Sequence, residues 1–405
     1  MKNLILPTNL VITFLISIAV SAQHVPLNDL GTGTYNGFMG GLYPSGANTR
    51  PTAHNNAGLQ FASQIKPLDA NGNYDPVNGK IVWLSVGMSN TTQETSAFIP
   101  MAEALANKNP KLVLVDGAQG GQDLDMINDP TSVYWSTITQ RLTTKGLTAK
   151  QVQVIWFKQA DRSFPDTTFT GYVTRFKDKL KISMGILNSK FSNTHLCYLS
   201  SRIYAGYQTG TGSNPEPYAY YTGWGVKQLI EDQINGDADL EYSGNNPKVP
   251  WLAWGPYLWA NGETPRADGL KWIFPDDYQK DGIHPSRSGE QKVAQMLLDF
   301  FTKDSTAIAW FLAPNTTGVE NVNLNKFLHI YPNPSDKSIS INLANISGKI
   351  KIEVYNSRAE LFYTTISDTQ QSVTLDISQF MTGIYFIRLT TEAQELYHKK
   401  VIVTR

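Results

Sequence analysis

A single cysteine, Cys197, stands among 405 residues, so no internal disulfide can staple this chain. Stability must come from buried apolar surface, which a chain of this length can supply. Neither sign of charge is in excess: Lys and Arg total 34, and so do Asp and Glu. That balance argues against a basic surface for nucleic acid or anionic membranes. Histidines are few, six in all, and none forms a His-Glu-x-x-His pair. A metal centre would need scattered ligands, and none is expected. Nucleotide motifs are also missing. The glycines of Asp116-Gly117-Ala118-Gln119-Gly120-Gly121 are not followed by Lys-Ser or Lys-Thr, and Gly31-Thr32-Gly33 lacks a correctly spaced third glycine. No cofactor is therefore expected.

Long apolar runs are absent too, except near the start. Lys2, the apolar stretch 10–20 and the small residues Val20-Ser21-Ala22 read as a secretory leader over 1–22, cut before Gln23. Its apolar middle is too short for a comfortable membrane span. A stable membrane span is not expected, and Cys197, inside an apolar run, reads as a small buried core residue.

What is present is alternation. Apolar runs of strand length occur at 81–86, 111–115, 151–157, 194–199 and 249–254. Helical periodicity separates them at 95–107, 132–144, 172–188, 220–234 and 288–301. Strands alternating with helices predict βαβ units, a mostly parallel sheet and a three-layer α/β/α sandwich. In such sheets reactive groups gather outside the carboxyl ends of the strands. A second composition begins near Pro314, where helical periodicity stops. Seven short runs broken by turn residues predict a small C-terminal all-β sandwich. The expected organisation is a leader at 1–22, an α/β domain at 23–310, a linker at 311–325 and a β-sandwich at 326–405.

Four stretches carry chemistry. Asp281-Gly282-Ile283-His284-Pro285 sits just ahead of the last helical pattern of the first domain. A carboxylate three residues before a histidine can orient the ring while the ring takes a proton; the same pair could instead ligate a metal or satisfy itself locally. Gly87-Met88-Ser89-Asn90 ends the first strand run, so Ser89 could be a nucleophile, provided a base lies beside it, or only a helix cap. The glycines at 117–121 could offer backbone N–H groups to a substrate oxygen, or form an ordinary turn. Finally, the strand run at 151–157 ends in Lys158-Gln159-Ala160-Asp161-Arg162. Gln159 could donate an amide hydrogen bond to an oxyanion, whereas Asp161 could do so only if protonated.

In this order the stretches resemble the SGNH (GDSL-type) hydrolase superfamily over about residues 75–304. Gly87-Met88-Ser89-Asn90 is closest to the Gly-x-Ser-Asn form of the sialate O-acetylesterase-like branch. The resemblance implies a flavodoxin-like sandwich, a Ser89–His284–Asp281 triad, and oxyanion donors at Gly120 and at Gln159 or Asp161. Asp161 departs from the family, which carries Asn there. The tail from about Val319 resembles the type A sorting domain of the type IX secretion system. The matching pieces are Ile330-Tyr331-Pro332-Asn333-Pro334, Ile352-Glu353-Val354-Tyr355-Asn356, Met381-Thr382-Gly383-Ile384-Tyr385 and Lys399-Lys400-Val401-Ile402-Val403. It implies a partnership with that machinery and export to the cell surface or beyond.

The expected activity is a secreted serine esterase acting through an acyl-enzyme on a small-molecule or polysaccharide ester. An O-acetylated carbohydrate is favoured because Trp259 falls on a polar loop, where it could stack on a sugar ring. The alternative is a non-catalytic carbohydrate-binding or adhesion protein on a decayed scaffold of the same kind.

Overall fold

The computed structural model describes residues 24–162, 165–209, 214–313, 329–342, 349–356, 360–368, 372–391 and 396–405. The expected leader at 1–22 and the linker residues 314–325 lie outside the described residues. The chain divides into two compact units, Met1–Ala313 and Pro314–Arg405.

The first unit is organised by β3 (Ile81–Gly87), in which every residue is buried. A strand buried on both faces belongs in a parallel sheet covered by helices on either side. Preceding it are α1 (Leu27–Leu30), the hairpin β1 (Thr34–Tyr35) and β2 (Phe38–Met39), and α2 (Thr52–Gln64). After it come α3 (Ser89–Glu103), β4 (Leu112–Asp116), α4 (Leu124–Ile127) and α5 (Val133–Thr144). Next are β5 (Val152–Lys158), α6 (Phe169–Lys190), β6 (Leu196–Leu199) and α7 (Tyr218–Ile234). The unit closes with β7 (Trp251–Trp254), α8 (Arg287–Lys303) and α9 (Ile308–Phe311).

The five strands β4-β3-β5-β6-β7 pair in that order, all parallel. Val82, Leu84 and Val86 face a core shared with α5, α6 and α7, while Ile81 and Trp83 face one shared with α2, α3, α8 and α9. The three-layer arrangement follows from that alternation. Since β4 and β5 flank β3 on opposite sides, the strand order reverses at β3. A crevice forms outside the carboxyl end of a sheet at such a reversal. Residue 89 lies two positions beyond β3.

Two boundaries differ from the sequence expectation. The helix expected over 95–107 begins at Ser89 and ends at Glu103. Its first turn, Ser-Asn-Thr-Thr, lacks apolar periodicity because it packs on polar groups: Thr91 donates to Lys158 O at 2.9 Å, and Thr92 donates to Asp116. The α/β unit also runs past 310. Leu312 bridges to Lys108 and Ala313 donates to Asn107 O, so the first residues of the expected linker belong to the folded unit. Cys197 is fully buried against Met184, and burial pushes its thiol far above the ordinary range. Among the described residues no helix is long and apolar enough to cross a membrane.

The second unit is all β. Strands β8 (His329–Tyr331), β9 (Ser338–Asn342) and β12 (Ser372–Asp376) form one antiparallel sheet. Strands β10 (Ile350–Tyr355), β11 (Leu361–Ser367), β13 (Gly383–Thr391) and β14 (Leu396–Val403) form the other. Ile339, Ile341, Ile350, Ile352, Val354, Ile387 and Leu389 share one core, as the inner faces of a small sandwich must.

Candidate functional site

The site is built at the carboxyl end of β3. Gly87 must be glycine, because a Cβ there would lie 2.3 Å from both Lys158 O and Thr91 Oγ1. That close approach lets the chain turn at once from strand to helix. Met88 is the extended N-cap residue and makes no side-chain cap bond, and Ser89 is the first helical residue. Ser89 therefore does not cap α3. Its Oγ lies 2.9 Å from His284 Nε2.

His284 is carried by a loop that folds back on itself. Asp281 Oδ1 accepts from the backbone N–H of Ile283 and of His284, both at 3.0 Å. Asp281 Oδ2 lies 2.6 Å from His284 Nδ1. A carboxylate can only accept, so Nδ1 carries the hydrogen and Nε2 is left to accept from Ser89. Gly282, at φ 66°, makes this fold possible; a Cβ there would lie 2.0 Å from Tyr207 O. Further straps run from Gln279 N–H to His284 O and from Ser286 N–H to Asp277 O, both 2.9 Å. Burial works to raise the Asp281 carboxyl, but the imidazole and the two backbone N–H groups outweigh it and hold the group below the ordinary aspartate range. His284 and Asp281 are partly exposed, with side-chain accessibilities of 33% and 43%, so the site opens to solvent.

Gly120 lies beside the serine. A Cβ built on it would fall 3.8 Å from Ser89 Cβ, ordinary van der Waals contact. Its N–H has no acceptor among the described residues. The loop is held by Gln119 N–H to Gly87 O at 3.0 Å and by Asp116. Asp116 accepts from Ser85 Oγ at 2.7 Å, Ala118 N at 3.0 Å and Thr92 Oγ1. Burial pushes its carboxyl up, against those hydrogen bonds and the nearby Arg141. Asp116 thus joins the serine's helix to the glycine loop. It was legible only as the residue before the glycines; the signal for its role is a carboxylate at the polar end of an apolar strand.

The end of β5 does not behave as the sequence suggested. Asp161 is fully buried and accepts from Arg175 Nε at 3.2 Å and from Lys179 Nζ at 3.0 Å. A carboxylate held by two cations is an acceptor, so Asp161 does not serve as an oxyanion donor. The Gln159 amide donates to Gln122 O at 3.0 Å, and its carbonyl accepts from Ala160 N–H at 3.1 Å. The Gln159 side chain thus engages the neighbouring loop through its nitrogen and its own chain through its oxygen. Lys158 forms a completely buried ion pair with Glu94 of α3. Asp123, Asp125 and Asp161 bring carboxylate oxygens within 4.8 Å of one another, but Lys179 already lies 2.5 Å from Asp125 as well.

The aromatic expectation is also corrected. Trp259 is completely buried and its Nε1 donates to Glu216 at 2.8 Å. Ring contacts with Tyr220 and His24 fill its surroundings, so it cannot stack on a sugar. Trp251, Trp254, Tyr257, Trp272 and Tyr278 are core residues too. His54 is likewise structural, with Nε2 2.7 Å from Leu252 O; burial pushes its pKa down to about 4.

Comparison with known proteins assigns the tail. Residues 329–404 match the secretion system C-terminal sorting domain family. The chain is thus exported through type IX secretion to the cell surface or the extracellular space, as its sequence led us to expect. An ulvan lyase of Nonlabens ulvanivorans is 30% identical over 201 residues, covering 48% of this chain and 36% of that protein. The chain therefore spans little more than a third of that relative's length. Among solved structures, a salicylyl-acyltransferase from a tetracycline biosynthetic pathway is 18% identical, with 55% and 54% of the two chains covered and a TM-score of 0.28. A Bacteroides vulgatus protein with an immunoglobulin-like β-sandwich is 10% identical over 19% of this chain and 83% of its own, at a TM-score of 0.17. Similarity that loose carries no argument about fold or function.

Proposed function

We propose that this exported protein is a serine-type ester hydrolase of the SGNH kind, with Ser89 as nucleophile, His284 as base and Asp281 as the orienting carboxylate. The observation that carries the reading is the hydrogen-bonded chain from Ser89 Oγ through both ring nitrogens of His284 to Asp281, at 2.9 and 2.6 Å. A serine hydroxyl needs an adjacent base, and a base needs its tautomer set by a third group.

In this mechanism His284 Nε2 takes the Ser89 proton as Oγ attacks the ester carbonyl. The Nδ1–H bond to Asp281 stabilises the imidazolium that forms. The developing oxyanion is met by the Ser89 N–H at the start of α3 and by the Gly120 N–H, where the helix end also favours negative charge. The imidazolium then protonates the leaving alcohol. Water attacks the acyl-enzyme by the same route and releases the acid. For substrate we propose an ester on a carbohydrate, O-acetyl foremost. This choice rests on the partial similarity to a polysaccharide lyase and on export, no longer on Trp259.

The test is direct. The purified chain should release p-nitrophenol from p-nitrophenyl acetate and acetate from acetylated sugars, and a fluorophosphonate probe should label it. Ser89→Ala should lose labelling and turnover while melting at the wild-type temperature. Polysaccharide binding by a wild-type protein that neither labels nor turns over would support the non-catalytic alternative instead.

A further inference from the structure

Asn90 follows the proposed nucleophile and is 1% exposed, yet the mechanism above gives it no task. Its Nδ2 donates to Ile283 O at 3.0 Å. Ile283 immediately precedes His284, and 193 residues of chain separate the two partners. This hydrogen bond therefore ties the first turn of α3, which carries Ser89, to the loop that carries His284. We infer that Asn90 is a positioning residue that sets the Ser89–His284 separation; the inference deepens the hydrolase reading and rests on it.

The geometry explains why a tether is needed at this point. Asp281, the N–H groups of Ile283 and His284, and Gln279 organise the base loop internally. None of those bonds reaches the nucleophile. On the other side, Thr91 and Thr92 fix the helix start to Lys158 O and to Asp116, on β5 and β4. Those bonds hold the serine but not the base. Asn90 joins the two groups through a side chain with only two rotatable bonds, so little entropy is lost in holding it. The carbonyl of half-buried Ile283 also gains a donor it would otherwise lack among the described residues.

The experiment uses the full chain and two variants. Asn90→Asp keeps the shape of the side chain but replaces its donor with an acceptor facing the Ile283 carbonyl. Asn90→Ala removes the side chain beyond Cβ. A misplacement of about 1 Å at a reacting centre can cost about 100-fold. Both variants should therefore lower kcat about 10- to 100-fold and leave KM within about twofold, since Asn90 sets reacting groups rather than substrate contacts. Fluorophosphonate labelling of Ser89 should slow in step. Amide hydrogen exchange over 279–286 should accelerate in both, with 112–116 of β4 unchanged. A variant that has not folded would expose β4 and is excluded by that control; Asn90→Asp, equal in volume, guards against a misfolded Asn90→Ala. Wild-type kcat and labelling in either folded variant would overturn the tether and leave the hydrolase standing. If the wild-type protein neither labels nor turns over, the hydrolase reading fails, and hydrogen exchange alone decides the tether: unchanged exchange over 279–286 overturns it.

Discussion

Two stretches at the carboxyl edge of the sheet look alike in polarity and differ in what their side chains are doing. Residues 279–286 bring Asp281 and His284 into a chain that ends on the hydroxyl of half-buried Ser89. Residues 158–161, at the end of β5, spend their polar groups on protein partners: Lys158 on Glu94, Gln159 on Gln122 and Ala160, Asp161 on Arg175 and Lys179. The first stretch ends its hydrogen-bond chain on the Ser89 hydroxyl. The second is closed. Polarity at a strand end alone therefore does not single out a candidate reactive group. Asp281 and Asp161 are both held by hydrogen-bond donors, yet only Asp281 hands its influence on to a group that can move a proton.

The sharpest way to break this contrast is to neutralise each aspartate. Asp281→Asn should leave the fold intact but disturb the tautomer of His284, lowering kcat by about 10,000-fold if the triad works as in other enzymes of this design. Steady-state kinetics on p-nitrophenyl acetate would measure it. A loss under tenfold would put Asp281 with Asp161, as structure only. The next effect concerns the oxyanion loop. Gly120→Pro removes the unspent N–H and should cost about 100-fold in kcat, as loss of one oxyanion donor does elsewhere. Gly120→Ala keeps that N–H and meets only a 3.8 Å contact, so it should stay within severalfold of wild type. Equal losses in the two variants would remove the Gly120 amide from the mechanism. Asp161→Asn should do the opposite of Asp281→Asn. It leaves Arg175 and Lys179 without their shared carboxylate and should cost about 2 kcal/mol of stability, read by denaturant unfolding, with kcat per folded molecule unchanged.

The same contrast explains what is legible in the sequence alone. The strand runs and the alternation of apolar periods announced the sandwich because both faces of β3 are buried and the helices each present one apolar stripe. The contact of Asp281 with His284 was legible because the carboxylate and the imidazole are three residues apart and fold onto each other locally. Their meeting with Ser89 is a long-range event that periodicity does not encode. Asp161 was misread because its partners, Arg175 and Lys179, lie on α6, another element. Trp259 was misread for a related reason. Its neighbours Asn261 and Gly262 suggest a polar loop, but half-buried Glu216 supplies an acceptor for its indole from 43 positions away. The start of α3 was hidden because its first turn packs on polar atoms of β4 and β5 instead of the apolar core.

The smallest expected effect separates the two aspartates by acid. The imidazole and the two backbone amides hold Asp281 below the ordinary value of 3.8, so the folded state binds its proton less readily than the unfolded chain does. A depressed carboxyl contributes stability above its unfolded value, and loses it as pH falls through the folded one. The contribution of Asp281 should therefore be complete at pH 5 and above, and fade below about pH 4. Partial exposure of the pair screens the effect, so it should be modest. Comparing the acid dependence of urea midpoints in wild type and Asp281→Asn would isolate it. The variant, having no proton to gain at that position, should lose stability less steeply below pH 4. Parallel curves would mean that Asp281 is held no more tightly in the folded protein than in the open chain. The orienting role assigned to it would then rest on geometry without a matching preference for the ionised form.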